Sequence, residues 1–319
     1  MTALSIGGFA YFDRTGPLIQ HEVAVDGLTY DYTVLTAPEL GRRVFLGGEF
    51  DAGEMWAASH ICETAAGTTR YVGIPVFPSR NFRHGFVFVH RDSGIITPRQ
   101  LIGRRIGVVE YVQTAGVWIR GFLQHDFGVH PADVRWVTTR LRTHAQVAPP
   151  RGIDIVTAPD ERTVEQLLFD GEVDAILGAF NHRSVLAGPA RRLFEHPRAL
   201  ETDYFRRTGS YPIMHVLGLR RDVYEAQPDL ALALMRLYEQ AKAVGRARLG
   251  RTSALAVALP WLEEHLEDTR AVFGEDAFPY GVRANLPTLH QLTQHVFEQG
   301  LTDRLVAPEE LFAPETLDT

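Results

Sequence analysis

Short apolar runs alternate with helix-period stripes over the first two thirds of the chain, and the last third is helical almost throughout. Leu4–Gly8 reads as a strand, and 23–34 as a second one broken by a turn at Asp26-Gly27. Residues 38–46 carry Leu40, Val44 and Phe45 on one stripe and predict a helix. Further strands are expected in 71–78 and 86–90, after the turn at Gly103, and in 153–156, 174–178 and 211–219. A helix is predicted over 113–127, with Ala115, Trp118, Ile119, Phe122 and Leu123 at i, i+3, i+4, i+7 and i+8 as its buried face. Residues 139–159 contain Pro149-Pro150 and little periodicity, so they read as a loop holding one strand. Asp160 is the expected N-cap of a helix over 161–169 that turns Val164, Leu167 and Leu168 inward. Three helices close the chain. One is entered through Pro228 and presents Leu230, Leu234, Leu237 and Ala241; one runs from Ser253 toward Leu266 with a break at Pro260; one starts at Pro287 and stops before Gly300.

One unit occurs twice. Gly48-Glu49-Phe50-Asp51-Ala52 and Gly171-Glu172-Val173-Asp174-Ala175 each stand between a helix and a short strand. Glycine ends the helix in a left-handed turn, and the Asp-Ala step opens the strand. A copy in each half predicts two α/β lobes of related construction, and two copies are too few for a solenoid.

Composition narrows the class. A chain of 319 residues with 45% hydrophobic and 22% charged residues is globular and large enough for two lobes. Its formal net charge of -7 leaves no basic footprint for nucleic acid. Eighteen apolar residues nowhere run together, so no membrane span is expected. The first eight residues have no basic n-region or apolar core and read directly as a strand, which predicts a cytoplasmic protein made without a secretory signal. The one cysteine, Cys62, excludes an intramolecular disulfide and a thiolate cluster; it is read as a small buried hydrophobe rather than a nucleophile. The helical tail offers surfaces for a homo-oligomer, but no stretch marks an interface.

Candidate chemistry gathers at strand ends, where ligands of open α/β sheets sit. In Pro78-Ser79-Arg80-Asn81-Phe82-Arg83-His84, two arginines and a histidine interrupt apolar sequence. Such charges need an anionic partner when buried. The segment either grips a carboxylate through arginine forks, with His84 to move a proton, or is a turn whose arginines pair with the chain's own acids. Asp13-Arg14-Thr15 follows the first strand and is either a ligand-binding loop or a turn with an Asp–Arg pair. The junction 110–114 feeds a helix N-terminus able to bind an anion, with Glu110 placed to bond a hydroxyl or carry a proton. Arg120 reaches a ligand or serves packing, and His182 faces the cleft or the solvent. His215, inside an apolar run, is a core histidine or a cleft residue. Dinucleotide, phosphate-loop, nucleophile-elbow and zincin patterns are all missing. Thirteen histidines include none at close metal-ligand spacing, which leaves only a metal assembled from distant residues.

Taken in order, Tyr11…Asp13-Arg14-Thr15, Phe77-Pro78-Ser79-Arg80…Phe82-Arg83-His84, Glu110-Tyr111…Thr114-Ala115…Trp118-Ile119-Arg120-Gly121 and Pro212-Ile213-Met214-His215 resemble the 4,5-dihydroxyphthalate decarboxylases. The resemblance spans most of the chain, from near residue 4 to the helix after Pro228. It implies an α/β, two-lobed type II periplasmic-binding-protein-like fold with a central ligand cleft and C-terminal helices on lobe one. Lobe one is then 1–97 with 211–319, and lobe two is 98–210. Gly16 stands where a basic residue is expected after Asp-Arg-Thr, and Tyr211 where Phe is expected before Pro-Ile-Met-His.

The implied activity is non-oxidative decarboxylation of a hydroxylated aromatic dicarboxylate, 4,5-dihydroxyphthalate to 3,4-dihydroxybenzoate and CO2, with no cofactor and no metal. The alternative is a solute-binding protein or sensor of the same fold that takes a small carboxylate. The resemblance gives substrate binding to Asp13, Arg14, Thr15, Ser79, Arg80, Arg83, Tyr111 and Thr114. Proton transfer falls to His84, His215 and Glu110, with the weight on His84. Each carboxylate of such a substrate is para to a hydroxyl. Deprotonating that hydroxyl and protonating the ipso carbon gives a dienone that sheds CO2. The leaving carboxylate is expected in a drier, less cationic part of the cleft.

Overall fold

The computed structural model describes residues 3–141, 143–159, 161–251 and 253–319. Eleven strands are found among them. They are β1 (Leu4–Gly8), β2 (Tyr30–Val34), β3 (Ala52–Trp56), β4 (Tyr71–Ile74), β5 (Val87–His90), β6 (Arg105–Val108), β7 (Arg135–Thr138), β8 (Asp154–Thr157), β9 (Ala175–Leu177), β10 (Ala190–Arg192) and β11 (His215–Arg220). They form two sheets, ordered β2-β1-β3-β11-β4 and β10-β5-β9-β6-β7-β8. In the first, β1, β2 and β3 are parallel and β11 runs against β3 and β4. In the second, β6, β7, β8 and β9 are parallel, and β5 runs against both β9 and β10. Helices cover the sheets, which is why β3 and β9 are buried along their whole length.

The duplicated unit does the same work in both sheets. Gly48 and Gly171 take φ of 63° and 72°, the left-handed turn that glycine adopts without strain. Asp51 then accepts the Ser5 backbone N–H at 2.9 Å, and Asp174 accepts that of Arg105 at 3.0 Å. Each aspartate thereby sets the register of its strand on the neighbouring one, Ile6 opposite Ala52 and Ile106 opposite Ala175.

The chain passes between the sheets twice, in 75–86 and 193–214. β5 pairs within the second sheet, so that sheet draws on residues from Val87 onward, whereas the sequence boundary at 97 falls after this strand. The crossings lie side by side: Arg80 and Ile213 form an antiparallel bridge, Asn81 N–H donates to the Pro212 carbonyl at 3.1 Å, and Met214 N–H donates to that of Ser79 at 2.9 Å. Strand β11 therefore starts at His215, later than the apolar run at Tyr211 suggests.

Several helices shift from their expected limits. The segment 38–46 forms a short α-turn, Ala37–Glu39, that widens into a π-type turn over Leu40–Leu46. Asp160 lies outside the described residues; the helix after it is Val164–Phe169, capped by the Thr163 hydroxyl. The segment after Ser253 is helical only over Leu262–Phe273, beyond Pro260. Helix Leu230–Leu249 buries Leu234, Leu237 and Ala241 completely. Helix Leu286–Glu298 packs against Ala57–Ala66 of the first half and Thr114–Phe127 of the second. Among the described residues no helix is long and apolar enough to cross a membrane.

Candidate active site

A cavity of about 250 Å³ opens where the carboxyl ends of β1, β3, β6 and β9 converge on the amino end of β11. Its size is just below the roughly 300–1,000 Å³ of sites for drug-sized molecules, which suits a single-ring ligand. Its polar lining comes from the first crossing and both halves, Ser79, Arg83, Gln113, Thr114, Thr143, His144 and His215, with the ring of Trp56 between them.

Two carboxylate–imidazole pairs face this space. His215 Nδ1 lies 2.5 Å from Glu54 Oε1. Glu54 is 2% exposed, in the middle of β3. An isolated carboxylate is costly there, and its oxygens are met by the Tyr11 hydroxyl, donating at 2.6 Å, and the Phe9 N–H, donating at 3.0 Å. Burial, then the neighbouring Glu54, raise the Tyr11 pKa far above its ordinary value, so this phenol stays a donor. On the other side, His144 Nδ1 lies 2.7 Å from Glu110 Oε1, which also accepts the N–H and hydroxyl of Thr143, both at 2.8 Å. Burial alone would raise the Glu110 pKa; the hydrogen bonds from His144 and Thr143 outweigh it and hold it below the usual carboxylate range. With Nδ1 engaged in each ring, the hydrogen bond fixes the tautomer and leaves Nε2 for a ligand. Neither Nε2 has a protein partner among the described residues.

Trp56 holds the pairs in relation to each other. Its ring stacks on His144 with centroids 5.1 Å apart and meets the His215 ring edge-on at 4.7 Å. Its indole N–H donates to the Thr143 carbonyl at 3.0 Å. The loop is fastened again by Ala145 N–H to the Ser59 hydroxyl, at 3.1 Å. Gly41 permits its close approach, since a Cβ there would stand 2.6 Å from that of Thr143.

The expected site residues divide sharply. Arg83 lines the cavity; its Nε donates to Met214 Sδ at 3.2 Å, its guanidinium lies over Phe86, and its terminal nitrogens have no hydrogen-bond partner among the described residues. Burial lowers its pKa to about 10, so it remains a cation at neutral pH. Ser79 and Thr114 also line the cavity, and Thr114 Oγ1 accepts the Ala58 N–H at 3.1 Å.

Arg80 is turned away into structure. It donates to the carbonyls of Tyr211 and Pro279 and to Asn285 Oδ1, so its fork is taken up by the fold. Thr15 is fully buried and closes its loop, donating to the Phe9 carbonyl and accepting from Tyr11 N–H. Asp13 and Arg14 pair at 3.6 Å and line a separate, larger recess of about 590 Å³ beside helices Leu230–Leu249 and Leu262–Phe273. Among the described residues no imidazole lines that recess. Tyr111 sits under the Arg120 guanidinium at 3.9 Å, and Arg120 bonds Gln299 and the Tyr111 carbonyl; both serve packing.

His84 is buried among aromatic rings. It lies outside the cavity, stacked on Phe122 at 4.1 Å and edge-on to Phe194 and Tyr204. Its Nδ1 is 3.9 Å from Glu201, too far for a hydrogen bond, and burial lowers its pKa to about 4. Among the described residues Glu110 is not part of the cavity lining and meets it through His144. His182 bonds Arg192 and packs on Phe86. Cys62 is buried, its thiol pushed up to about 12 by burial.

Two curated relatives of this chain agree with one another. A 4,5-dihydroxyphthalate decarboxylase from Comamonas testosteroni is 37% identical over 315 residues, covering 97% of this chain and 96% of the relative. The chain belongs to the 4,5-dihydroxyphthalate decarboxylase family. A second 4,5-dihydroxyphthalate decarboxylase, from Pseudomonas putida, is 34% identical over 212 residues, covering 64% of this chain and 81% of the relative. No family model matches. Among solved structures, the periplasmic aliphatic sulphonate binding protein SsuA from Escherichia coli superposes with a TM-score of 0.55 at 14% identity, each chain covered completely. The decarboxylase-family chain thus has the periplasmic-binding-protein fold.

Three residues of this family member went unassigned at the sequence level. Glu54 lies three residues past Asp51 of the duplicated unit, an acid in an otherwise apolar strand, which is a readable signal. Trp56 closes the same strand. His144 sits in the aperiodic loop and carries no pattern at all.

Proposed function

We propose that this chain decarboxylates 4,5-dihydroxyphthalate to 3,4-dihydroxybenzoate and CO2, with His215 and His144 as the proton-transfer residues. The observation that carries the reading is the pair of carboxylate-backed imidazoles on one cavity that also presents an arginine with free donors. Its membership of the decarboxylase family supplies the substrate class.

Arg83 is the one arginine or lysine among the described residues of the cavity lining, and it takes the carboxylate that the product keeps. The N–H groups of the first turn of helix Thr114–Phe127 add to the field on that anion. The two carboxyl groups are adjacent on the ring, so the reacting ipso carbon lies near Arg83. His215 follows Met214, the residue Arg83 touches, and is the acid that protonates this carbon. The phenol para to the leaving group lies across the ring, where His144 takes its proton. Glu54 and Glu110 stabilise each imidazolium while it carries the charge. Loss of CO2 returns the electron pair to the ring, and the phenolate recovers its proton from His144. The departing carboxylate sits against Phe9, Trp56 and Met214, where becoming neutral CO2 is favoured over staying charged.

Incubation of the protein with 4,5-dihydroxyphthalate is expected to release CO2 and 3,4-dihydroxybenzoate in equal amounts. His215→Asn and His144→Asn are each expected to lower kcat by about 10²- to 10⁴-fold. Tight binding of the dicarboxylate without turnover would instead make the chain a binding protein, and full turnover in both variants would remove the histidines from the mechanism.

A further inference from the structure

A second cluster of ligating side chains lies where helix Thr114–Phe127 packs along helix Leu286–Glu298. His125 comes from the first helix, and His295 and Glu298 come from the second, three residues apart and therefore on one face. One donor atom from each lies within 4.8 Å of the other two.

His295 is the unusual member. It is 2% exposed, and neither of its ring nitrogens has a hydrogen-bond partner among the described residues. An imidazole always carries at least one polar nitrogen in need of a partner, and leaving both unmet in a dry helix interface is unfavourable. The ring is nevertheless held firmly. Gly121 lies beneath it, where a Cβ would stand 2.3 Å from His295 Cδ2, and Trp118 meets it edge-on at 5.5 Å. His125 stacks beside it at 5.3 Å.

Glu298 is oriented as a ligand would be. Gln294 donates to Oε1 at 2.8 Å, while Oε2 lies 2.7 Å from His125 Nε2. Outer partners of this kind aim metal-binding carboxylates.

We propose that His125, His295 and Glu298 bind a zinc-class transition-metal dication that staples the two helices together. Two imidazoles and one carboxylate suit such an ion, and the partly exposed side of His125 and Glu298 leaves room for water as the fourth ligand. Donors at about 2.0–2.1 Å around a tetrahedral zinc stand roughly 3.3 Å apart. The His125–Glu298 contact has to open by about half an ångström to reach that spacing, which side-chain rotation supplies. Thr114, at the cavity, is about 16 Å along the helix from His125 at 1.5 Å per residue. The ion therefore sets the position of the helix and does not meet the substrate.

The test uses the full chain stripped of metal and then given Zn²⁺ or Co²⁺ alone. Zn²⁺ is expected to raise Tm by at least about 4 °C, and Co²⁺ to develop visible d–d absorption at one equivalent. His125→Ala and Glu298→Gln are each expected to abolish the Tm shift and weaken Co²⁺ binding at least about 10-fold. The exposed His265→Ala serves as a control and keeps both signals. Absence of any Tm shift and of any visible band at millimolar metal overturns the proposal, and so does an equal response in all the variants.

Discussion

Trp56 donates its indole N–H to the Thr143 carbonyl at 3.0 Å, across eighty-seven positions of chain. The bond joins the end of a strand in the first sheet to a loop that follows β7 in the second. One side chain thus touches both imidazoles facing the cavity and ties down the loop that carries one of them.

Trp56→Phe keeps a ring and deletes the bond. The stranded Thr143 carbonyl is expected to cost about 1–3 kcal/mol of stability, read from urea unfolding. Turnover is expected to fall by at least roughly tenfold, because His144 loses its fixed place. The effects of Trp56→Phe and His144→Asn on kcat should fall well short of additive in a double-mutant cycle; additive losses would mean that Trp56 acts elsewhere.

Arg80 and Arg83 are predicted to separate completely. Arg80→Met strands the Tyr211 carbonyl and Asn285 Oδ1 and should destabilise the fold by about 2–4 kcal/mol with KM nearly unchanged in the folded fraction. Arg83→Met removes a buried cation with no anionic partner, so Tm should hold or rise. KM for the dicarboxylate should rise by about 10- to 100-fold, the worth of a charged hydrogen bond to the retained carboxylate. A KM effect confined to Arg80→Met would reverse the assignment.

His84 gives a prediction in pH. Its folded pKa, lowered to about 4 by burial, lies below the ordinary histidine value near 6.5, so between these limits the unfolded chain binds more protons than the native one. Stability therefore falls as pH drops from about 6.5 toward 4, by up to about 3 kcal/mol from this group. His84→Phe fits the ring stack on Phe122 and should flatten that stretch of the stability–pH curve while keeping near-normal kcat. Loss of turnover on His84→Phe, with the fold intact, would return His84 to the chemistry.

Much of the architecture was legible because it rests on local pattern. The helix at Thr114–Phe127 declares its buried face in five apolar positions, and the duplicated Gly-Glu-apolar-Asp-Ala unit foretold two related sheets. The site was legible in part. Arg80 and Arg83 look alike in sequence, since both flank Phe82 within one short segment; only the course of the chain turns one toward Asn285 and the other toward the cavity. His84 attracted attention because it stands next to Arg83, but its side chain leaves into an aromatic box. His144 was invisible because its partner Glu110 is thirty-four residues away and its loop has no period to read.

The two crossings between the sheets, bridged at Arg80 and Ile213, lie at the centre of the molecule's mechanics. Any rotation of one sheet against the other must turn about this double span. Ser79, Arg83, Met214 and His215 sit on it or beside it, close to the axis, where displacement is smallest. Thr114 and His144 follow β6 and β7 of the second sheet and are held to the first by the Ala58 N–H and by the Trp56 and Ser59 side chains. Opening the jaw would thus leave the carboxylate grip and His215 in place, and would withdraw His144 only by parting the Trp56–Thr143 and Ser59–Ala145 bonds, so those two bonds act as the latch of the site.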